Sequence, residues 1–352
     1  MKMTNIKRLL FCLFLGFISL MATATPSQAA EPAASFAMTI VPPENQANQN
    51  LSYFDLVVKP NQSQDLQLKL VNHQDTPTKV GLTAKTATTN MNGVVNYGAH
   101  QDHSDKTLQY ALGNYLKPEA KTITLKANEE RIVNVTLKTP PKAFKGQLVG
   151  GISAVEIPKD QKTSQQINIR NKFAYAVAVV VRNNDHSVTP EFKLGQVEAN
   201  QMMGSNQILA NIRNVQPKFQ NQTTIKAFVT RRGQKKKFYQ TEKKDVQFAP
   251  NSVMPFYLPL NDRFKPGRYT LDLTVHSEGR RWHFTRNFTI SRQAANKWNS
   301  KDVNLPPQNN DWYYVLAGVL LILIILGYVY WRYRKKQKEN KALKDEIDRL
   351  KS

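Results

Sequence analysis

A chain of 352 residues with 49 Lys and Arg against 26 Asp and Glu carries a formal charge of +23, and its one cysteine excludes an intrachain disulfide. Such a balance selects anionic partners in general and says nothing about fold.

Lys2, Lys7 and Arg8 precede the apolar run 9–21, and small residues follow. This is the pattern of a secretory signal peptide over 1–29, with Ser27-Gln28-Ala29 offering the small side chains for cleavage before Ala30. Cys12 lies inside the apolar run, so the mature chain is expected to be free of thiol chemistry and of cysteine-ligated zinc.

The exterior that follows, 30–311, has room for about two domains of typical size. Segments 53–58, 66–70, 132–137, 174–181, 224–229 and 269–275 are short, rich in β-branched and aromatic residues, and bounded by Pro, Asn or Gly. They read as strands. With no recurrent helical pattern between them, the expectation is an all-β chain of two tandem immunoglobulin-like β-sandwich domains, at 35–157 and 167–290, joined by the polar stretch 158–166. Lys59-Pro60-Asn61-Gln62 is a corner between strands, because Pro presets φ and Asn tolerates turn geometry. Ala127-Asn128 and Ala249-Pro250-Asn251-Ser252 repeat that corner, and the last two are followed at similar distance by Phe144-Lys145-Gly146 and Phe264-Lys265-Pro266-Gly267. One sandwich plan used twice accounts for the spacing. A short helix is expected over 104–112, where a capping Ser precedes apolar positions at helical spacing.

A search for catalytic patterns finds no His-Glu-x-x-His, no Gly-x-Ser-x-Gly and no phosphate loop. His100, Asp102 and His103 are of types that bind divalent ions, but they sit in a polar loop and form a weak metal candidate; no cofactor is expected. A denser feature is Arg231, Arg232, Lys235, Lys236 and Lys237 around Gly233, a basic hairpin tip suited to phosphates or sulfates. The same composition suits a solvated hairpin whose charges keep its edge from pairing. Trp282 reads as a core tryptophan or as a platform for sugar stacking.

Beyond a juxtamembrane linker at 291–311, residues 312–331, WYYVLAGVLLILIILGYVYW, hold no charge and are long enough as a helix for a bilayer core. Tyr and Trp at both ends form aromatic belts, and Arg332, Arg334, Lys335 and Lys336 follow. The positive-inside rule then puts the basic tail, 332–352, in the cytoplasm and the strand-rich part outside. In the tail Leu343, Ile347 and Leu350 share a helix face, as suits self-association or contact with anionic lipid. Outside a membrane, polyanions are wall polymers, headgroups and sulfated glycans, so nucleic acid is not an expected partner.

The chain also resembles the WxL-interacting proteins of Gram-positive surfaces. In its first half the resemblance rests on Tyr53-Phe54-Asp55-Leu56 with the Pro-Asn corner, on Asn92-Gly93-Val94-Val95-Asn96-Tyr97, and on Phe144-Lys145-Gly146-Gln147-Leu148-Val149-Gly150-Gly151-Ile152. In the second it rests on Ala249-Pro250-Asn251-Ser252, Pro266-Gly267-Arg268-Tyr269 and Trp282-His283-Phe284-Thr285-Arg286-Asn287-Phe288-Thr289-Ile290. The first corner departs from the family, with Pro-Asn where Pro-Gly is common. The resemblance implies a peptidoglycan-binding domain, a host-binding domain and a partner surface protein carrying a WxL domain. The expected function is therefore a membrane-anchored adhesion adaptor and not an enzyme. A surface assembly chaperone acting by strand pairing, and a metal-dependent wall hydrolase at His100, Asp102 and His103, are the alternatives.

Overall fold

The computed structural model describes residues 34–98, 104–158, 172–260, 262–305 and 312–351. The expected signal peptide lies outside the described residues. The chain divides into two compact units, one of Met1–Glu198, Ile208–Leu258 and Gly267–Thr289, the other of Ala199–Gln207, Pro259–Pro266 and Ile290–Ser352.

Period-two burial runs through the strands as read. In β3 (Ser63–Asn72) Leu66, Leu68 and Leu70 are buried, and in β9 (Glu130–Lys138) Val133, Val135 and Leu137 are buried. Antiparallel pairing sets Leu66 opposite Val135 and Leu68 opposite Val133, so both apolar sets face one side. With β1 (Phe36–Val41) and β7 (Leu116–Pro118) these strands form a sheet of order β1-β3-β9-β7. A second sheet has the order β2-β11-β10-β4-β8, from β2 (Phe54–Val57), β4 (Thr78–Thr86), β8 (Thr122–Leu125), β10 (Gln147–Ile157) and β11 (Ala174–Arg182). One buried cluster draws on both sheets, from Phe36, Leu68 and Val135 to Leu56, Ile152 and Val179. A two-stranded ribbon, β5 (Thr88–Thr89) with β6 (Val95–Asn96), leaves the second sheet after β4.

The remaining strands repeat this order. β12 (Phe192–Met202), β13 (Ser205–Asn214) and β16 (Ser252–Pro259) give β12-β13-β16, the counterpart of β1-β3-β9. β14 (Gln220–Arg231), β15 (Lys237–Phe248), β17 (Gly267–Ser277) and β18 (Arg280–Ile290) give β15-β14-β17-β18, the counterpart of β8-β4-β10-β11. β11, which follows the polar stretch 158–166, is hydrogen-bonded between β10 (antiparallel) and β2 (parallel).

The corners repeat at atomic level. Asn61, Asn128 and Asn251 adopt φ of 54°, 53° and 47°, the left-handed region that Asn enters more readily than most residues. Two buried asparagines brace the later two corners. Asn72 Nδ2 donates to Thr76 O (3.0 Å) and Lys126 O (2.7 Å), while its Oδ1 accepts from Gln74 N (3.1 Å). Asn214 Nδ2 donates to Lys218 O (2.8 Å) and Ala249 O (2.9 Å), and its Oδ1 accepts from Gln216 N (3.3 Å). Each reaches the residues two and four ahead of it and the carbonyl two before its corner Asn.

The helix expected over 104–112 does not form. Asp105 instead closes a turn, its Oδ1 accepting from Thr107 N (3.0 Å) and Oγ1 (2.9 Å), and a 3₁₀ turn follows at Leu112–Tyr115. The segment expected to be a linker holds helix α1 (Arg292–Asn299), capped by Ser291 Oγ accepting from Ala294 N at 3.0 Å. In that same unit Asn299 Oδ1 accepts from Phe264 N (2.8 Å) and Asn206 Nδ2 (2.9 Å). Helix α2 (Trp312–Lys351) contains an exposed apolar stretch of mean hydropathy 2.3, long enough to cross a membrane.

Replacing Asn214 by Ala removes the side-chain donor from Lys218 O and leaves Ala249 O with Ser252 Oγ alone. We expect a loss of about 2–3 kcal/mol in urea unfolding at unchanged m-value. The placement of β11 predicts that a fragment ending at Ile157 is insoluble, whereas one ending at His186 unfolds cooperatively; light scattering and circular dichroism compare the two.

Candidate functional site

The basic residues named from sequence do gather at one hairpin. β14 and β15 are joined through Gly233, whose φ of 81° a side chain would strain. Gln234 N donates to Arg231 O (2.9 Å), and Arg232 N donates to Arg268 O (3.0 Å). That second bond brings Arg268 to the tip, a residue the search for charge runs passed over because it stands alone in Pro266-Gly267-Arg268. A shallow depression of about 460 Å³ results, lined by Arg231, Arg232, Gly233, Gln234, Gly267 and Arg268. The Lys237 ammonium lies 4.2 Å from the Phe228 ring centre and the Arg231 guanidinium 5.9 Å from that of Tyr269. Cation–π contact positions these two charges without neutralising them. Lys235 and Lys236 are exposed.

A second constellation joins the two halves of the larger unit. The Asp105 carboxylate, 1% exposed, receives Arg213 Nε at 2.5 Å and Nη2 at 2.9 Å, a two-pronged pair. Burial pushes the Asp105 carboxyl up, but the Arg213 and Thr107 hydrogen bonds and the Arg213 charge outweigh it and hold it below the usual carboxylate range. Beside it Asp105 N donates to Asn251 O (2.6 Å) and Asn251 Nδ2 to Thr107 Oγ1 (2.8 Å). On the ribbon, Thr89 Oγ1 accepts from Ala249 N (3.0 Å) and lies 2.7 Å from Ser252 Oγ. Gln247 N donates to Gly93 O (2.8 Å), and Lys243 Nζ to Met91 O (3.0 Å), with burial pushing the Lys243 amine down. At β10, Gly146 has φ of 67°, and a Cβ there would stand 2.1 Å from Pro217 O. Only glycine fits. That Gly93 and the corner Ala249-Pro250-Asn251-Ser252 lie along one seam is information carried by the fold.

His100, Asp102 and His103 lie outside the described residues, and among the described residues no group of three His, Cys, Asp or Glu is placed to hold a metal ion. Trp282 is half-buried, packed edge-on to Phe192 at 5.0 Å, which favours the core reading over the sugar platform.

Two family models match the chain. The one described as "WxL Interacting Protein, peptidoglycan binding domain" covers residues 36–156, and the one described as "WxL Interacting Protein, host binding domain" covers 164–300. No curated protein sequence matches. Among solved structures, the Salmonella enterica SafA pilin in complex with the SafB chaperone is 10% identical over 73% of this chain and 99% of that one, with a TM-score of 0.30. The Pseudomonas aeruginosa CupB2 chaperone is 14% identical over 65% and 95%, with a TM-score of 0.28.

Removing one partner of the buried pair exposes its contribution. Arg213→Met should cost about 3–5 kcal/mol, by leaving a buried carboxylate unpaired, and adding Asp105→Asn should recover part of it. Because the Asp105 carboxyl is depressed in the folded state, its contribution is complete above the unfolded carboxylate range and is lost as pH falls through the folded value. Urea midpoints from neutral to strongly acid pH should therefore fall less steeply in Asp105→Asn than in the parent.

Proposed function

The chain belongs to the WxL-interacting protein family, and on that premise we propose a membrane-anchored surface adaptor that binds peptidoglycan and a WxL-domain protein and presents a host-binding region. One observation carries the reading: matches to a peptidoglycan-binding and a host-binding domain cover both strand-rich regions, and an apolar helix long enough for a membrane follows them. The family is a non-catalytic one.

The finer parts of this reading are ours. Two tandem immunoglobulin-like sandwiches are supported by the repeated sheet order and the paired asparagine corners. The family matches end at 156 and resume at 164, near the expected joint at 158–166, while β11, beyond that joint, pairs with strands on its other side. Arg332, Arg334, Lys335 and Lys336 support a cytoplasmic tail, which puts the sandwiches outside. Arg231, Arg232, Lys235, Lys236, Lys237 and the added Arg268 form the contact for phosphates of anionic wall polymer or sulfates of a host glycan.

The test is sedimentation of the detergent-solubilised full chain with purified peptidoglycan, and its capture of a WxL-domain protein, at low and high salt. Retention that survives high salt supports the adaptor; loss of both with salt reduces the interaction to charge attraction and overturns it. In the same assay, replacing Arg231, Arg232, Lys235, Lys236 and Lys237 by Ser should weaken teichoic acid binding by on the order of tenfold at low salt and leave binding to acid-extracted peptidoglycan unchanged.

A further inference from the structure

The larger unit has a cleft that the basic hairpin does not touch. Its floor is Ala178 and Val180 on the face of β11 turned away from the buried Val177, Val179 and Val181. Tyr53, Tyr97 and Phe219 wall it, with Asp55, Gln147, Asn221 and Gln247 supplying the polar rim. The volume is about 310 Å³, and through Asp55, Gln147 and Phe219 the cleft continues into a depression of about 540 Å³ beside Arg182, Asp185 and His186. Both volumes fall in the range of small-ligand sites.

Its groups are held in place. Tyr97 lies on Gly151, where a Cβ would stand 2.3 Å from that of Tyr97, and its carbonyl accepts from Ser153 Oγ at 3.2 Å. Both tyrosines line the cleft, and burial first, with Tyr53 second, pushes the Tyr97 phenol up. Neither phenol hydroxyl has a partner among the described residues. Gln147 Oε1 accepts from Phe219 N (3.3 Å), and Gln247 Nε2 donates to Asn221 Oδ1 (3.4 Å), so the amides are oriented while their other ends stay open. The Asp55 carboxylate is ion-paired with Arg182, which also binds Asp185 at 2.6 Å.

We propose that this cleft is an oligosaccharide-binding site for N-acetylated sugars, built jointly by Tyr53, Asp55, Tyr97 and Gln147 of the first repeat and Phe219, Asn221 and Gln247 of the second. Flat aromatic faces cover the C–H faces of pyranose rings, while planar amides and a carboxylate pair with vicinal hydroxyls and acetamido groups in two-point hydrogen bonds. A peptide strand fits the place poorly. The floor is the face of β11, which is already paired on both sides, so no free backbone edge is offered for strand addition. The proposal rests on the adaptor reading for the wall as one source of the sugar. Its own content is the location and the need for both repeats.

The experiment uses the full chain in detergent and its Tyr53→Phe, Tyr97→Ala, Phe219→Ala and Gln247→Leu variants, each checked by its thermal unfolding midpoint. Three probes are titrated: N-acetylglucosamine oligosaccharides, lysozyme-digested peptidoglycan, and the isolated stem peptide. Saturation-transfer NMR should show sugar-ring contact, with binding roughly tenfold weaker in Phe219→Ala and in Tyr97→Ala, and several-fold weaker in Tyr53→Phe, which keeps the ring and the fold. Parent binding that all four variants retain overturns the cleft while leaving wall binding intact. Parent that sediments with no peptidoglycan but binds a host-type N-acetylated glycan in a Phe219-dependent way keeps the cleft and fails the wall reading. Competition by stem peptide alone, or no sugar binding by the parent, overturns the proposal.

Discussion

The buried backbone of Ala249 sets a condition that the larger unit is organised to meet. Its N–H and C=O are both removed from water, and each must find a partner or cost its full desolvation. The carbonyl accepts from Asn214 Nδ2 and Ser252 Oγ (2.8 Å), both of the second repeat, while the N–H reaches Thr89 of the first. One residue thus belongs to a corner and to a seam. At the equivalent corner of the first repeat Asn72 reaches Lys126 O in the same manner, but among the described residues no hydrogen bond from the second repeat reaches it. The second copy of the corner has been put to additional use.

That use explains why the ribbon of Thr88–Thr89 and Val95–Asn96 leaves its sheet. Alone, four strand residues with almost no pairing could not stay ordered. They are held because Ala87, Val95 and Val149 pack with Ala249, because Gly93 leaves room for Val246, and because Asp105 is neutralised by Arg213. The pair is costly to bury, so its benefit is register: a bidentate guanidinium fits one carboxylate in one orientation. With the repeats joined along such a seam, residues from both can share one cleft.

The charge of the chain takes on a different meaning once placed. Several of the carboxylates seen in pairs are exposed, such as Glu242 with Lys226 at 3.4 Å and Asp262 with Lys265 at 3.7 Å, and these contribute little. The basic hairpin instead rests its cations on Phe228 and Tyr269, leaving their field open to an anion. The exposed positive charge and the aromatic cleft are separate features, with separate dependence on salt.

What the amino-acid order determined by itself is whatever depends on neighbours in the chain. Alternation in Leu66-Gln67-Leu68-Lys69-Leu70, Asn at the three turning points, the uncharged run at 312–331 and the lysines around Gly233 are all local patterns, and the all-β class, the spanning-length helix and the basic hairpin follow from them. The same locality misled at 104–112, where apolar spacing suggested a helix but Arg213, more than a hundred residues away, claims Asp105. Nor does a strand's sequence say which sheet receives it: β11 is set between β10 and β2 by hydrogen-bond partners that no local pattern names. Only the tertiary structure could bring Arg268 to the hairpin tip, or Tyr53, Tyr97 and Phe219 around one cleft, since their proximity is created by pairing and packing and leaves no spacing to read.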